Sequence, residues 1–168
     1  MHQRIFGALS GLALFCLTLV YLTLAIAHDA SARSHDAPHY ASLAFDKANL
    51  RVGPGTQYPI DWVYVKKGLP LEVLRDYGSW RQVRDRDGVT GWMHRRLLSA
   101  RRMVIITGAS GALHALRRRP MASAPVVLRA EAGVLGHLVK CAGDWCAVEI
   151  AERRGWLPRR QLWGADGD

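Results

Sequence analysis

Two cysteines near the C-terminal end of the chain carry the clearest chemical signal in the sequence. Cys141 and Cys146 flank residues 142–145, which have the composition of a turn between two strands. A hairpin loop of four residues would place the cysteines opposite each other, with Cα atoms about 4.5 to 5.5 Å apart, which a disulfide can bridge. We therefore expect a disulfide worth about 2 kcal/mol in the chain-entropy description. A reduced, packed pair is the alternative.

The other residue types that do chemistry are scattered. A metal site at the cysteines would need two further ligands, and only His137 is near in sequence. The Cys-x-x-Cys spacing of a redox-active pair is missing. His94 and His114 lie in separate segments without a flanking motif, and no Gly-x-Ser-x-Gly or His-Glu-x-x-His occurs. The sequence thus predicts no catalytic residue, no metal and no cofactor, and a protein that is not an enzyme.

The N-terminal 32 residues indicate the compartment of the rest. Residues 5–27 are almost unbroken apolar sequence behind Arg4, and a small-x-small triplet, Ala30-Ser31-Ala32, follows. The pattern is typical of a secretory signal, although the run also reaches the length of a membrane anchor. Both interpretations place the later residues in the periplasm or outside the cell, because the positive charge before the run stays inside.

The chain is basic, with a formal net charge of +9. A basic surface usually suggests nucleic acid. An exported protein instead meets anionic headgroups, lipopolysaccharide and wall-polymer carboxylates, so we expect no nucleic-acid partner. Arginine-rich strands are also commonly solvated faces that keep small proteins apart.

Short strands account for the sequence after the polar linker at residues 33–40. From Ala41 onward, turn residues interrupt the apolar runs about every eight to twelve residues, as in a small sandwich or barrel. Apolar and polar residues alternate at 71–74 and 80–83, as in half-buried strands. Asp87-Gly88 between strand formers predicts a hairpin, because glycine accepts the positive φ of the turn. The pattern indicates an all-β fold.

The second half of the chain repeats the first. Thirty residues separate Leu50 from Trp80 and twenty-nine separate Leu116 from Trp145, and each tryptophan precedes a Gly-Trp pair at a matching offset. Two copies at so long a period indicate duplicated domains rather than a solenoid. Because aromatic residues at equivalent positions favour packing over ligand contact, four are predicted core residues: Trp80, Trp92, Trp145 and Trp156.

The first copy resembles the bacterial SH3-like domain family. The family's Asn-Leu/Val-Arg-x-Gly-Pro opening, mid-domain glycine, Trp-x-x-Val strand and closing Gly-Trp are matched by Asn49, Leu50, Arg51, Gly53, Pro54, Gly68, Trp80, Val83, Gly91 and Trp92. In the second copy Ala115 replaces the asparagine, and residues 118–120 replace the Gly-Pro-Gly turn. The resemblance implies an all-β chain with two tandem small SH3-like barrels.

The repeat divides the chain into five parts. Residues 1–32 are the signal or anchor, 33–40 a linker, 41–107 the first SH3-like domain, 108–164 a divergent second one and 165–168 a tail. Met103 to Thr107 fits either the end of the first barrel or the start of the second, a choice that the sequence leaves open. Copies of about sixty residues bury little apolar area, so we expect them to pack against each other.

The resemblance also implies an aromatic-lined groove beside the loop between the first strands. Three of its aromatic residues have no aromatic equivalent in the second copy, which raises their chance of a functional role. The arginine in the set could meet a carboxylate, but it recurs as Arg117, which favours a shared structural ion pair. The predicted ligand-binding residues are Arg51, Tyr58, Trp62, Tyr64 and Tyr77.

These observations lead to a hypothesis of an exported, non-catalytic binding protein. Its ligand would be a peptide, peptidoglycan or a protein partner in the envelope. The alternative is a structural adaptor, anchored in the inner membrane through residues 5–27 and facing the periplasm. An accessory wall hydrolase is less favoured, because a catalytic domain would need more chain than the two copies leave.

Overall fold

The computed structural model describes residues 38–166 of the chain. The predicted signal or anchor, most of the linker and the end of the tail lie outside the described residues. Within 38–166 the regular elements are strands and two single-turn 3-10 helices, Arg95–Leu97 and Arg159–Gln161. No helix in this part of the chain is long and apolar enough to cross a membrane.

Seven antiparallel strands form the first sheet, and its buried apolar side chains meet in one core. Its fully buried residues include Leu50, Leu71, Val83 and Met93. The strand order is β3-β2-β6-β5-β4-β1-β7. The strands are β1 (His39–Leu43), β2 (Ala48–Arg51), β3 (Ile60–Tyr64), β4 (Pro70–Tyr77), β5 (Trp80–Arg84), β6 (Thr90–His94) and β7 (Leu98–Ser99).

The second sheet repeats the topology of the first, strand for strand. Its order is β10-β9-β13-β12-β11-β8-β14. The predicted all-β fold with two tandem SH3-like barrels is confirmed. The strands are β8 (Met103–Ile106), β9 (Leu113–Arg117), β10 (Val126–Glu131), β11 (Leu135–Ala142), β12 (Trp145–Ile150), β13 (Arg153–Pro158) and β14 (Leu162–Trp163).

Strand β8 decides the boundary that the sequence left open. It pairs with β11 and β14 of the second sheet. Val104 and Ile106 are fully buried in the second core. The first domain therefore ends at β7 rather than at residue 107, and the second begins at Met103.

The hairpin β11-β12 carries the predicted disulfide. Cys141 and Cys146 are partners in register, with Cα atoms 4.0 Å apart, and are joined by a disulfide bond. The prediction is confirmed, but the loop is shorter than expected, because Ala142 also pairs with Trp145. Only two residues form the turn, and the first, Gly143, has a φ of 55°, which favours glycine.

Three of the four predicted core tryptophans lie at the margins of the barrels. Trp92 is buried, 8% exposed. Trp80, Trp145 and Trp156 are half-buried, and neither core cluster of the described residues contains a tryptophan. Trp92 is therefore buried as predicted, whereas Trp80, Trp145 and Trp156 are only partly buried, because aliphatic side chains fill both small barrels.

The two barrels contact each other through terminal strands and the segment that joins them. The rings of Tyr40 on β1 and Trp163 on β14 meet edge to face, with centroids 5.2 Å apart. In the joining segment, the Ser42 hydroxyl of the first barrel donates to the Arg101 carbonyl at 2.8 Å. The next carbonyl, of Arg102, accepts from the main chain of β11 at 2.9 Å. The joining segment is thus tied to both barrels.

Candidate ligand-binding cleft between the barrels

A cleft of about 540 Å³ lies where the two barrels meet. The first barrel contributes Trp62 and Tyr64 from β3 and the turn between β5 and β6. The second barrel contributes Ile105 from β8 and Trp163 from β14. Clefts at domain junctions with a few aromatic walls are common ligand sites. We define this surface as the inter-barrel cleft.

Trp62 is the most exposed aromatic wall of the inter-barrel cleft. Its strand, β3, is an edge of the first sheet and pairs only with β2. In that register Trp62 lies opposite Leu50, yet Leu50 is fully buried and Trp62 is 56% exposed. An indole left in water beside a cleft is a large apolar surface for a ligand to cover.

Tyr64 is a buried support of the same wall rather than an exposed contact. It is 7% exposed and belongs to the first core. Its hydroxyl donates to Asp85 Oδ2 at 2.9 Å. Burial, and then the bond to Asp85, raise the pKa of the Tyr64 phenol well above its ordinary value, so the phenol stays protonated and donates. Tyr64, one of the predicted ligand-binding residues, thus lines the cleft from a buried position.

Asp85 shapes the turn on the other side of the cleft. Its Oδ1 accepts from the N–H of Asp87 at 3.0 Å and from that of Val89 at 2.9 Å. Such side-chain bonds to following amides define a turn that starts at aspartate. Because Asp85 also holds Tyr64, one carboxylate connects the turn with the strand that carries Trp62.

The rim of the cleft presents charges of both signs. Arg86 Nε lies 3.3 Å from Asp87 Oδ1, and both side chains are exposed. An ion pair in water contributes little net stability, so its two groups can turn to a ligand at small cost. The inter-barrel cleft can therefore combine aromatic stacking with recognition of a carboxylate and an ammonium group.

Arg51 lies outside this cleft and stabilises a loop. Its guanidinium donates to the carbonyls of Thr56 at 3.2 Å and Tyr58 at 2.6 Å. Arg117 makes the equivalent bond to the Ala124 carbonyl at 2.8 Å. The two arginines share a structural role, but these bonds run to main-chain carbonyls rather than to the acid of an ion pair.

Tyr58 and Tyr77 also lie apart from the cleft. The Tyr58 ring covers Gly53, where an added Cβ would lie 2.5 Å from the ring, so that loop requires glycine. Tyr77 is 64% exposed at the end of β4 and meets Trp92 edge on, with centroids 6.2 Å apart. Of the five predicted binding residues, only Trp62 and Tyr64 line the inter-barrel cleft.

Sequence reasoning missed the wall contributed by the second barrel. Trp163 occupies the place of Ser99 in the first copy, since β14 and β7 are equivalent edge strands. The search for aromatics present in one copy, which selected Trp62, would have found Trp163 if applied to the second copy. Ile105 carried no such signal, because its strand had not been assigned to a barrel.

The three histidines considered as candidate catalytic or metal-ligating residues lie on three different strands. His94 is on β6, His114 on β9 and His137 on β11. Among residues 38–166, no group of three or more His, Cys, Asp or Glu side chains is placed to hold a metal ion.

Two seven-stranded all-β barrels of identical topology, each closed by a 3-10 turn and a short strand, define an SH3-like class of protein. The bacterial SH3 domain family matches residues 44–100 and 110–164. The chain therefore belongs to the bacterial SH3 domain family, in two tandem copies.

The proteins that resemble this chain include longer ones, and the chain matches only part of their length. "Putative N-acetylmuramoyl-L-alanine amidase YrvJ" of Bacillus subtilis is 26% identical over 126 residues, which are 70% of this chain and 24% of that protein. The chain thus spans about a quarter of this relative. Among solved structures, a NlpC/P60 family protein from Bacillus cereus has a TM-score of 0.33 and 14% identity, over 74% of this chain and 55% of that one. NlpC2 from Trichomonas vaginalis has a TM-score of 0.35 and 10% identity, over 80% and 52%.

Proposed function

We propose that the chain is a non-catalytic binding protein of the cell envelope, and that its inter-barrel cleft takes a peptide, above all the peptide stem of peptidoglycan. The observation that carries the proposal is Trp62, whose exposed indole forms one wall of a cleft built from both barrels. Membership of the bacterial SH3 domain family supports a binding role.

The chemistry of the cleft suits a short peptide with charges of both signs. Trp62 and Trp163 offer ring faces to the apolar parts of such a peptide. The exposed pair Arg86 and Asp87 offers a guanidinium to a carboxylate and a carboxylate to an ammonium group. A stem peptide carries both kinds of charge, so it can engage the aromatic walls and the rim together.

The named relative supports the same ligand class. That relative is named as a putative N-acetylmuramoyl-L-alanine amidase, so its substrate class is a wall polymer. The two family copies occupy most of residues 44–164, so we propose that this chain contributes wall attachment and not hydrolysis. A wall ligand also agrees with the expected location in the periplasm or outside the cell.

Retention on purified sacculi at moderate salt tests this function. The full chain should sediment with sacculi, and Trp62→Ala should lower the retained fraction about tenfold, because it removes a central aromatic contact. Tyr77→Ala is the matched control, since Tyr77 is exposed to a similar extent as Trp62 but lies outside the cleft. This variant should retain wild-type binding. Absence of retention, or equal loss in both variants, would contradict the proposal. If the wild-type chain is not retained, crosslinking in cells would test the alternative, a protein partner in the envelope.

A further inference from the structure

A second kind of cleft occurs once in each barrel and shares no lining residue with the inter-barrel cleft. Its volume is about 430 Å³ in the first barrel and about 380 Å³ in the second. Each copy is lined by two arginines and a half-buried tryptophan at equivalent positions. They are Arg51, Trp80 and Arg96 in one barrel and Arg117, Trp145 and Arg160 in the other. We call these surfaces the twin clefts.

The same local structure positions the three side chains in both barrels. The first arginine ends β2 or β9 and holds the following loop through carbonyl groups. The tryptophan begins β5 or β12, and the second arginine lies in the 3-10 turn. That turn is fixed by Arg95 N–H donating to the Ser79 carbonyl at 2.8 Å, and by Arg159 N–H donating to the Asp144 carbonyl at 2.7 Å.

The residues around this trio differ between the copies. Asn49, His94 and Leu97 line the first twin cleft, whereas Ala115, Pro158 and Gln161 stand at those places in the second. The second cleft also contains Asp144, so its two arginines outnumber one carboxylate. Loop support explains the first arginine of each trio. It does not explain Arg96 and Arg160, which are exposed and lie beside the tryptophan. The recurrence of exposed charge next to an indole points to a ligand.

We infer that the twin clefts are equivalent binding sites for a carboxylate-bearing glycan. The indole face stacks on the apolar face of a sugar ring, and the exposed guanidinium pairs with the carboxylate. The formal charge of +9 complements such a polymer. Because the two sites belong to one chain, a long glycan engages both, and the second contact adds to the first through high effective concentration. The twin clefts differ from the inter-barrel cleft in position and in the ligand proposed for them.

Binding of the full chain to immobilised carboxymethyl-dextran, with uncharged dextran of equal length as the matched probe, tests the inference. The wild type should prefer carboxymethyl-dextran. Arg96→Gln or Arg160→Gln alone should lower the affinity about tenfold by removing the second contact. The double variant should lose the preference for the carboxylated polymer.

Arg129→Gln/Arg153→Gln is the control, because it removes the same charge from exposed positions outside both clefts. It should change the affinity less than about twofold, as expected for screened surface charges. An equal loss in this control would show binding to net charge alone and would overturn the inference. A wild type without preference for the carboxylated polymer would overturn it too. Trp62→Ala should leave this binding unchanged, so the result is independent of the inter-barrel cleft.

Discussion

The hydrogen bond between Tyr64 and Asp85 connects strand β3 with the turn between β5 and β6. We expect its removal to lower the free energy of unfolding. Tyr64→Phe deletes only the hydroxyl and leaves the ring in the core. The bond is 2.9 Å long, and Tyr64 and Asp85 are 7% and 8% exposed. Removal therefore leaves Asp85 Oδ2 buried without this donor, which water replaces poorly.

The expected loss follows from the kind of bond. Hydrogen bonds to charged groups contribute about 1.5 to 3 kcal/mol. Asp85 keeps the two amide donors at Oδ1, so we expect Tyr64→Phe to lower the free energy of unfolding by about 2 kcal/mol, near the lower part of that range. For a chain of this size that loss lowers Tm by about 4 to 8 °C.

Urea unfolding followed by circular dichroism measures this loss. Tyr77→Phe, at an exposed ring, is the control and should change the free energy of unfolding by less than about 0.5 kcal/mol. In an Asp85→Asn background the acceptor is neutral, so the same Tyr64→Phe change should cost only about 1 kcal/mol. Equal stability of Tyr64→Phe and wild type, or an equal cost in both backgrounds, would refute the charged hydrogen bond as the source.

The raised pKa of the Tyr64 phenol predicts that the protein loses stability in alkali. The folded-state pKa of Tyr64 is raised from 10.0 by burial and by the bond to Asp85. Its contribution is therefore fully present below about pH 10 and is lost as the pH rises toward the folded-state value, because only the unfolded chain ionises there. Tyr64→Phe should remove this part of the pH dependence in urea midpoints measured above pH 10.

Two further predictions concern other parts of the fold. Reduction of the Cys141–Cys146 disulfide, which closes a sequence separation of 5, should lower the free energy of unfolding by about 2 kcal/mol; identical urea midpoints in oxidised and reduced samples would contradict this. Burial, and then the charges of Arg96 and Arg95, lower the pKa of His94 below 6.5. The folded chain thus takes up this proton less readily than the unfolded one, and stability falls as the pH drops through 6.5. An NMR titration should find a higher pKa in Arg96→Gln, and an unchanged value would exclude Arg96 as a cause.

The fold was predictable because it depends on patterns that both copies keep. Alternating apolar residues define strands, and the repeated glycines and tryptophans fix their register. The cysteine pair also followed from local sequence, since one hairpin places both residues. Three of the four tryptophans were misplaced, because equivalent positions indicate a shared environment but do not distinguish a core from the margin of a barrel, where Trp80 and Trp145 lie.

The inter-barrel cleft was only half predictable because it depends on docking between distant segments. Trp62 was found as an unrepeated aromatic, whereas its opposite wall comes from β8 and β14. No local pattern indicates which face of one barrel meets the other. Arg51 was predicted in one groove with Trp62 and Tyr64, but it bonds to carbonyl groups of the loop after β2, a main-chain interaction that no side chain in the sequence indicates.

Comparison of the two copies distinguishes the two kinds of cleft on physical grounds. When one barrel packs on the next in tandem, equivalent faces meet different neighbours, so residues at the junction have no reason to recur. Accordingly Trp62 pairs with Leu50 where Leu128 pairs with Leu116, and Tyr64 has Ala130 as its equivalent. A surface that each barrel forms by itself does not depend on the neighbouring barrel, so its residues can be the same in both copies. The two arginines and the tryptophan of the twin clefts do recur. Aromatic residues at the junction, such as Trp62 and Tyr64, therefore occur in one copy only. Tyr77 also occurs in one copy but lies outside the junction, so this criterion alone does not place a residue there.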